Sequence, residues 1–478
     1  MDLNFRPVQE IIEQHFKPTM MAYFGLILSI LVIAIVVKLL VKEIFPQAVL
    51  LLAGLLMIFV AHLFPDFFTK NLEQNNNPLF DTFEFLNKSF SSINAGVGLM
   101  IMAIGGFVAY SDKIGASEAM VNIALKPLSF FKKYPNFASV LVIPIGQLIF
   151  ICVPSAAGMG LLMMASVFPI MVNLGVSRLA AVSIITGCTS FCIGPASVIT
   201  ASATQIAKID TVPYFIDMQI PIAIILNLVL MLSYFFVNKY FDKKLPKEEV
   251  IHTNISKEAG SKAPAYYAII PVLPLMLLLS FSGVFQIFPL DLKIETTTAM
   301  FFSLLVGMVF ELIRKRDIKA VLSGFKTFFD GMGDMFKSVV TLIVSAEIFA
   351  GGLISFGFID GLINLSQNLG IGALGIGVLM TILIFLAAML MGSGNAAFFA
   401  FGPLIPNVAA KFGVKATSIL LPMNLSASMG RAISPIAGVL IATASVAKVP
   451  VVDVVKRNLI PVFSVLITLL IYHFGLCF

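Results

Sequence analysis

The chain predicts an all-α polytopic membrane protein of two inverted repeats, each with five membrane-crossing helices and one re-entrant hairpin. Three observations carry that prediction. Apolar residues make up 59% of the 478 residues and charged residues 12%, against roughly 45–50% and about 25% in soluble domains. The basic residues gather in a few short connections, as the positive-inside rule expects of cytoplasmic loops, so the net charge of +6 carries no nucleic-acid signal. Small motifs also recur at an offset near 240 residues: Gly105-Gly106 with Gly115 matches Gly351-Gly352 with Gly361, and Phe168-Pro169 matches Ile405-Pro406. Ala207-Lys208 likewise matches Ala447-Lys448, and Ile220-Pro221 matches Ile460-Pro461.

Residues 1–21 form an N-terminal segment in which Phe5, Val8, Ile11, Ile12 and Phe16 recur at helical spacing, the pattern of an amphipathic helix over 5–16 lying on the membrane, with a disordered tail as the alternative. Met1–Pro18 is mixed polar and apolar, which argues against a cleavable signal. The first repeat, 22–237, opens with spans at about 22–41 and 47–64 around the turn Lys42-Glu43-Ile44-Phe45-Pro46. A polar loop, Pro65–Lys88, leads to a third span at about 89–110, and Lys113, Lys126, Lys132 and Lys133 place the next connection in the cytoplasm. Residues 136–174 are apolar with one break at Pro154-Ser155-Ala156-Ala157-Gly158 and read as a hairpin of two half-depth helices. A broken helix over 179–206 is interrupted at Thr189-Ser190 and again at Gly194-Pro195-Ala196-Ser197, and a span at about 218–237 closes the unit.

The hydrophilic linker 238–265 carries Lys239, Lys243, Lys244, Lys247, Lys257 and Lys262 and belongs in the cytoplasm. The second repeat, 266–478, begins with spans at about 266–288 and 297–312 and a basic cluster, Arg314-Lys315-Arg316 with Lys319. It continues with a hairpin over 372–412, whose tip is Gly392-Ser393-Gly394-Asn395, and a broken helix over 416–447, unwound at Ser426–Ser434. Five spans and a hairpin make an odd number of crossings, so the second copy enters the membrane upside down. Lys208 then falls outside, and Lys448, Lys456 and Arg457 fall inside with the other basic clusters. Inverted repeats with paired broken helices are the architecture of secondary transporters, whose sites lie near the midplane where the copies meet.

The candidate site follows from that architecture. Ser155, Ala156, Ala157 and Gly158 at one tip and Gly392, Ser393, Gly394 and Asn395 at the other are small enough for backbone N–H groups to approach a ligand. A helix starting at such a tip offers its positive end to a carboxylate. The broken helices supply Thr189, Ser190 and Ser197 in one copy and Asn424, Ser426, Ser428 and Ser434 in the other, groups suited to a carboxylate or a hard monovalent cation. Single Ser and Thr residues in such helices usually bond their own backbone; the adjacent Gly-Pro and Ser-Pro steps favour the binding role. Arg431 is the one fixed positive charge in the second broken helix, and its planar fork matches a carboxylate. Its alternatives are a structural ion pair or snorkelling to the interface. Glu347, alone in an apolar run, is expensive to charge; it fits a proton-coupling site, a neutral acid bonded to a neighbouring helix, or the partner of Arg431.

Enzyme chemistry finds no constellation. His15, His62, His252 and His473 lie near segment ends or in loops, and Cys152, Cys188, Cys192 and Cys477 form neither a disulfide framework nor a metal set. Cys188 and Cys192, four apart with no nearby His, read as packing residues. No P-loop is present, which excludes ATP-driven transport within this chain. No cofactor is expected.

Met391–Pro406 (MGSGNAAFFAFGPLIP), Leu420–Gly438 (LLPMNLSASMGRAISPIAG) and Val176–Ser197 (VSRLAAVSIITGCTSFCIGPAS) resemble the anaerobic C4-dicarboxylate carriers of the DcuC type, within the ion transporter superfamily. The resemblance runs over nearly the whole chain. It implies a carrier in the bacterial cytoplasmic (inner) membrane, surrounded by lipid, that moves succinate, fumarate and malate by succinate export or fumarate/succinate exchange. The superfamily implies a homodimer whose protomers have a fixed scaffold and an elevator-like transport domain. Sodium-coupled relatives carry Ser-Asn-Thr at both tips, whereas this chain has Ser155-Ala156-Ala157 and Ser393-Gly394-Asn395. That departure puts proton coupling or plain exchange ahead of sodium coupling. A carrier for another organic anion or an amino acid, a cation/proton antiporter using Glu347, and a non-transporting sensor are the alternative readings.

Overall fold

The computed structural model describes residues 17–42, 44–64, 67–68, 77–126, 135–243, 263–282, 294–368 and 370–477. These residues are helical, without strands, and nine of the described helices are long and apolar enough to cross a membrane. The helix expected at 5–16, the cations Lys132 and Lys133, and the body of the linker over 244–262 lie outside the described residues.

Helices α1 (Lys17–Val41) and α2 (Pro46–Leu63) coincide with the first two expected spans, and Pro46 opens α2 where no N–H is needed. The third element corrects the sequence reading. Where a loop was expected up to Lys88, α3 runs over Pro78–Lys113. Asn77 starts it, its Oδ1 accepting the N–H groups of Leu79 at 3.2 Å and Phe80 at 3.4 Å. Of the polar residues taken for loop, Glu84, Asn87 and Lys88 lie on an exposed helix face, with Lys88 and Glu84 paired one turn apart at 3.1 Å, while Asp81 and Thr82 are buried. A kink at Gly96, with ψ of −107°, marks where this face gives way to the apolar half. The following connection is also partly helical, as α4 (Ala116–Ala124).

The first hairpin is α5 (Pro135–Cys152) and α6 (Ala156–Asn173), followed by the two halves of a broken helix, α7 (Arg178–Gly187) and α8 (Val198–Ala207). Helix α9 (Thr211–Asp242) reaches further than the expected 218–237 and takes the first residues assigned to the linker. The span expected at 266–288 is not one helix. A 3-10 turn, Ala265–Ile269, precedes a short α10 (Leu273–Ser280), because Pro271 and Pro274 remove backbone donors within two turns; 283–293 lies outside the described residues.

Helices α11 (Thr296–Lys315), α12 (Ile318–Ser355) and α13 (Phe358–Asn368) follow. The second hairpin is α14 (Ala373–Met391) with a return arm split by Pro403 into α15 (Gly394–Phe401) and α16 (Ile405–Phe412). The second broken helix is α17 (Ala416–Ala432) and α18 (Gly438–Ala447), and α19 (Val451–Tyr472) ends the core. Here too the structure corrects the sequence. The stretch expected to unwind over Ser426–Ser434 stays helical through Ala432, and the break falls at 433–437. Gly430 alone does not stop a helix; Pro435 does.

Two groups of helices emerge from the packing. In one, α12 lies along α2 and α3, α11 against α3, and α13 against α1. A Cβ at Gly54 of α2 would come within 2.6 Å of the Ile348 carbonyl in α12, so this contact is backbone on backbone. In the other group the two hairpins enclose the broken helices: α5 and α6 pack on α7, α14 and α15 on α17, and α9 on α19. The hairpins also cross over, α6 reaching α18 and α15 reaching α8. Both chain breaks therefore lie inside the second group.

Candidate functional site

Each hairpin turns on a serine. Ser155 accepts the N–H of Gly158 at 3.2 Å to start α6, and Ser393 accepts the N–H of Ala396 at 3.2 Å to start α15. The caps satisfy one donor per helix and leave the other first-turn N–H groups pointing out of the tips. Ala157 is exposed, and Ser155, Ala156 and Gly158 are half-buried. The second tip is more enclosed. A Cβ at Gly394 would come within 2.7 Å of the Ala427 carbonyl, so the tip rests directly on the last turns of α17. Gly392 adopts a φ of +67°, which favours glycine, and abuts Ile436 in the second break. Asn395 is half-buried and makes no hydrogen bond among the described residues. The first tip meets the same break from the other side, with Ala156 packed against Ala437, Val439 and Leu440.

Between the tips, the two breaks approach each other. Arg431, in the last turn of α17, donates from Nη2 to the carbonyl of Thr189 in the first break at 2.5 Å. Its Nε is buried without a partner, as are the hydroxyls of Ser190, Ser428 and Ser434. The residues that carry them adjoin the Arg431–Thr189 contact in the chain or through a shared neighbour. Ser190 follows Thr189 in the chain, the Ser434 N–H bonds the Arg431 carbonyl at 3.1 Å, and Ser428 and Arg431 both border Cys192. A buried polar group without a partner costs about 1–3 kcal/mol. Such atoms on both broken helices mark the region of the breaks as polar and open to a further partner.

Other expected residues have different duties. Asn424 donates to the Cys192 carbonyl at 3.1 Å, and Ser426 bonds its own helix at the Met423 carbonyl, 3.2 Å away. The Thr189 hydroxyl donates to the Thr186 carbonyl at 2.9 Å, and Ser197 accepts the Thr200 N–H at 3.3 Å as the cap of α8. All four are committed to structure through these bonds. Glu347 is not the partner of Arg431: it sits half-buried in α12, with no ion pair or hydrogen bond among the described residues. No cluster of three or more His, Cys, Asp or Glu side chains able to hold a metal occurs among the described residues.

Several residues at the breaks were not anticipated. Gln219 and Asn458 are fully buried amides that bond to both broken helices. Arg457, expected only as one of the cytoplasmic basic residues, is 2% exposed and pairs with Asp242 at 2.7 Å. The available signal was a lone amide shortly ahead of each matched Ile-Pro step, Gln219 before Ile220-Pro221 and Asn458 before Ile460-Pro461.

Comparison with known proteins identifies the family. The family described as C4-dicarboxylate anaerobic carrier matches residues 24–477. A probable anaerobic C4-dicarboxylate transporter DcuC of Vibrio cholerae is 34% identical, the match covering 94% of this chain and 97% of the relative. The anaerobic C4-dicarboxylate transporter DcuC of Escherichia coli strain K12 is 31% identical over 95% of this chain and 96% of its own. Among solved structures, Neisseria gonorrhoeae MtrF, described with a class of antimetabolite efflux pumps, superposes with a TM-score of 0.65 at 13% identity, covering 91% of this chain and 96% of that one. The Alcanivorax borkumensis YdaH transporter, described as having an unusual topology, gives 0.56 at 13% identity, covering 89% and 98%. These two likenesses speak to the fold. The chain belongs to the C4-dicarboxylate anaerobic carrier family and is a multi-pass membrane transporter, not an enzyme.

Proposed function

We propose that this protein is a secondary carrier of C4-dicarboxylates such as succinate, fumarate and malate, working by export or exchange across a bacterial inner membrane. The observation that carries the reading is the Arg431 guanidinium, placed between two chain breaks with its Nε and three neighbouring hydroxyls unpartnered. One substrate carboxylate is taken by Arg431 with Ser190, Ser428 and Ser434. The other is taken by the tip N–H groups with Ser393 and Asn395. A charge-assisted bond contributes about 1.5–3 kcal/mol, so Arg431 dominates the site.

The reading extends to mechanism. The two hairpin-and-broken-helix units are inverted repeats, and the helices that enclose the breaks form a transport domain moving against a scaffold of α1–α4 and α10–α13. Support comes from a crevice between α1, α2 and the second hairpin, lined only by apolar side chains such as Ile33, Val36, Leu50, Ala387, Met391 and Phe401. An apolar seam lets two surfaces slide without breaking hydrogen bonds. The protomers pair as a homodimer. Glu347, unpartnered in α12, is the carboxyl available for proton coupling, and sodium coupling is the less favoured option.

The test is counterflow in proteoliposomes loaded with unlabelled succinate and challenged with labelled succinate, with and without sodium and a pH gradient. The wild type accumulates label. Arg431→Ala, shown to be folded, loses it. Uptake by that variant with an unchanged KM would reject the site, and absence of label with the wild type would reject the substrate class.

A further inference from the structure

The two broken helices are joined next to their breaks by a pair of side-chain amides on the helices that flank them. Gln219 lies in a π-helical turn, Tyr214–Gln219, early in α9 and is fully buried. Its Oε1 accepts the N–H of Gly194 in the first break at 2.9 Å. Its Nε2 donates to the Thr200 hydroxyl of α8 at 2.9 Å and to Oδ1 of Asn424 in α17 at 2.8 Å. Asn424 then returns to the first break through its 3.1 Å bond to the Cys192 carbonyl. The first break is thus hung between α9 and α17.

Asn458 of α19 is also fully buried. Its Oδ1 accepts the Tyr234 hydroxyl of α9 at 3.0 Å. Its Nδ2 donates to the Thr186 hydroxyl at 3.0 Å and to the carbonyl of Ala432, the last residue of α17, at 2.9 Å. These bonds close a ring: Asn458 to Ala432, adjoining Arg431 to Thr189, Thr189 to Thr186, and Thr186 to Asn458. An amide is suited to this because it offers an acceptor and two donors on one rigid plane. A carboxylate lacks the donors, and an apolar side chain would orphan the groups of both breaks.

We propose that Gln219 and Asn458 are positioning residues, two clasps that fix the register of the breaks and so set the separation of the two carboxylate subsites. The inference rests on the reading that the breaks hold the dicarboxylate. It makes the clasps determinants of chain-length selectivity, because a subsite spacing held rigid discriminates between three-, four- and five-carbon acids.

The experiment compares Gln219→Ala, Asn458→Ala and the milder Tyr234→Phe and Thr200→Val, each shown to be monodisperse and folded, in two assays. In succinate counterflow, with malonate and glutarate as competitors, both amide variants raise KM at least tenfold, keep the maximal rate within about threefold, and lose most of their preference for succinate. In maleimide labelling, with Cys192 located by peptide mapping, both variants label at least tenfold faster than the wild type, because the first break is no longer held. Tyr234→Phe, which removes one bond from Asn458 only, and Thr200→Val, which removes one bond from Gln219, move both readouts in the same direction by less, and each decides the matter for its amide if that alanine variant does not fold. Either readout staying at the wild-type value overturns the proposal. A wild type without succinate counterflow rejects the carrier reading instead, and labelling alone then judges the clasps.

Discussion

Arg431 shows how much one residue type can decide. Its charge alone would be met by a lysine, but the geometry uses the fork: Nη2 holds the Thr189 carbonyl while Nε is left without a partner, the edge that the proposed function gives to a carboxylate. A lysine ammonium is a compact point charge and cannot serve a fixed carbonyl and a carboxylate from two edges of one plane. Arg431→Lys therefore keeps the local charge and gives up one charge-assisted bond, about 1.5–3 kcal/mol, or roughly a 10–100-fold rise in KM for succinate with a smaller change in maximal rate. Counterflow kinetics on the folded variant test this, and an unchanged KM would mean that charge without geometry suffices. The serines beside Arg431 divide in a way that sequence could not foretell. Ser426 bonds its own helix while Ser428, two residues on, is left without a partner, because successive positions on a helix face about 100° apart.

At the scale of elements, the turns at Ser155 and Ser393 were legible because serine and small residues interrupt an otherwise apolar run, and each serine caps the helix that follows, whereas the arms α6 and α14 are long enough to cross a membrane and not the half-depth helices expected. The second break was misplaced because Gly430 and its polar neighbours resemble a loop in composition, although nothing there except Pro435 forbids a helix. Gly430 serves contact instead. A Cβ on it would lie 2.2 Å from the Phe385 carbonyl oxygen and 2.9 Å from Cβ of Ala388, so α17 and α14 touch through it. Gly430→Ala must push the two helices apart, an overpacking effect of about 1–3 kcal/mol, which lowers the melting temperature in detergent by several degrees. Gly438→Ala is the control, because a Cβ there meets nothing within 4 Å. Equal melting temperatures for the two variants would show that the hairpin does not bear on α17. The clasps were illegible for a different reason: a single amide in an apolar helix has no period, and its partners lie on elements up to 272 residues away.

For the whole molecule, the charge of the site decides how transport responds to voltage. Neither hairpin tip and neither broken helix contains an Asp or Glu; the broken helices carry Arg178 at the start of α7 and Arg431 at the end of α17, and on the proposed reading Arg431 is the charge that meets the substrate. On that reading, binding a dianion takes the charge at the Arg431 site from one positive to one net negative. Exchange of one dianion for another moves no net charge, whereas a full cycle of net transport moves two. Each elementary charge crossing 100 mV is worth about 2.3 kcal/mol, so an inside-negative potential drives net export by roughly 4–5 kcal/mol per 100 mV and opposes net uptake equally. Proteoliposomes adsorbed to a sensor electrode test this directly. Succinate added outside vesicles that contain none should give an outward current, the sign of a dianion moving in, and the current should vanish when both sides hold saturating succinate. Arg431→Ala should give neither current nor counterflow. Net uptake without current would mean that cations travel with the acid. Glu347→Gln then separates the routes, because restored current with retained exchange in that variant would assign proton coupling to the carboxyl in α12.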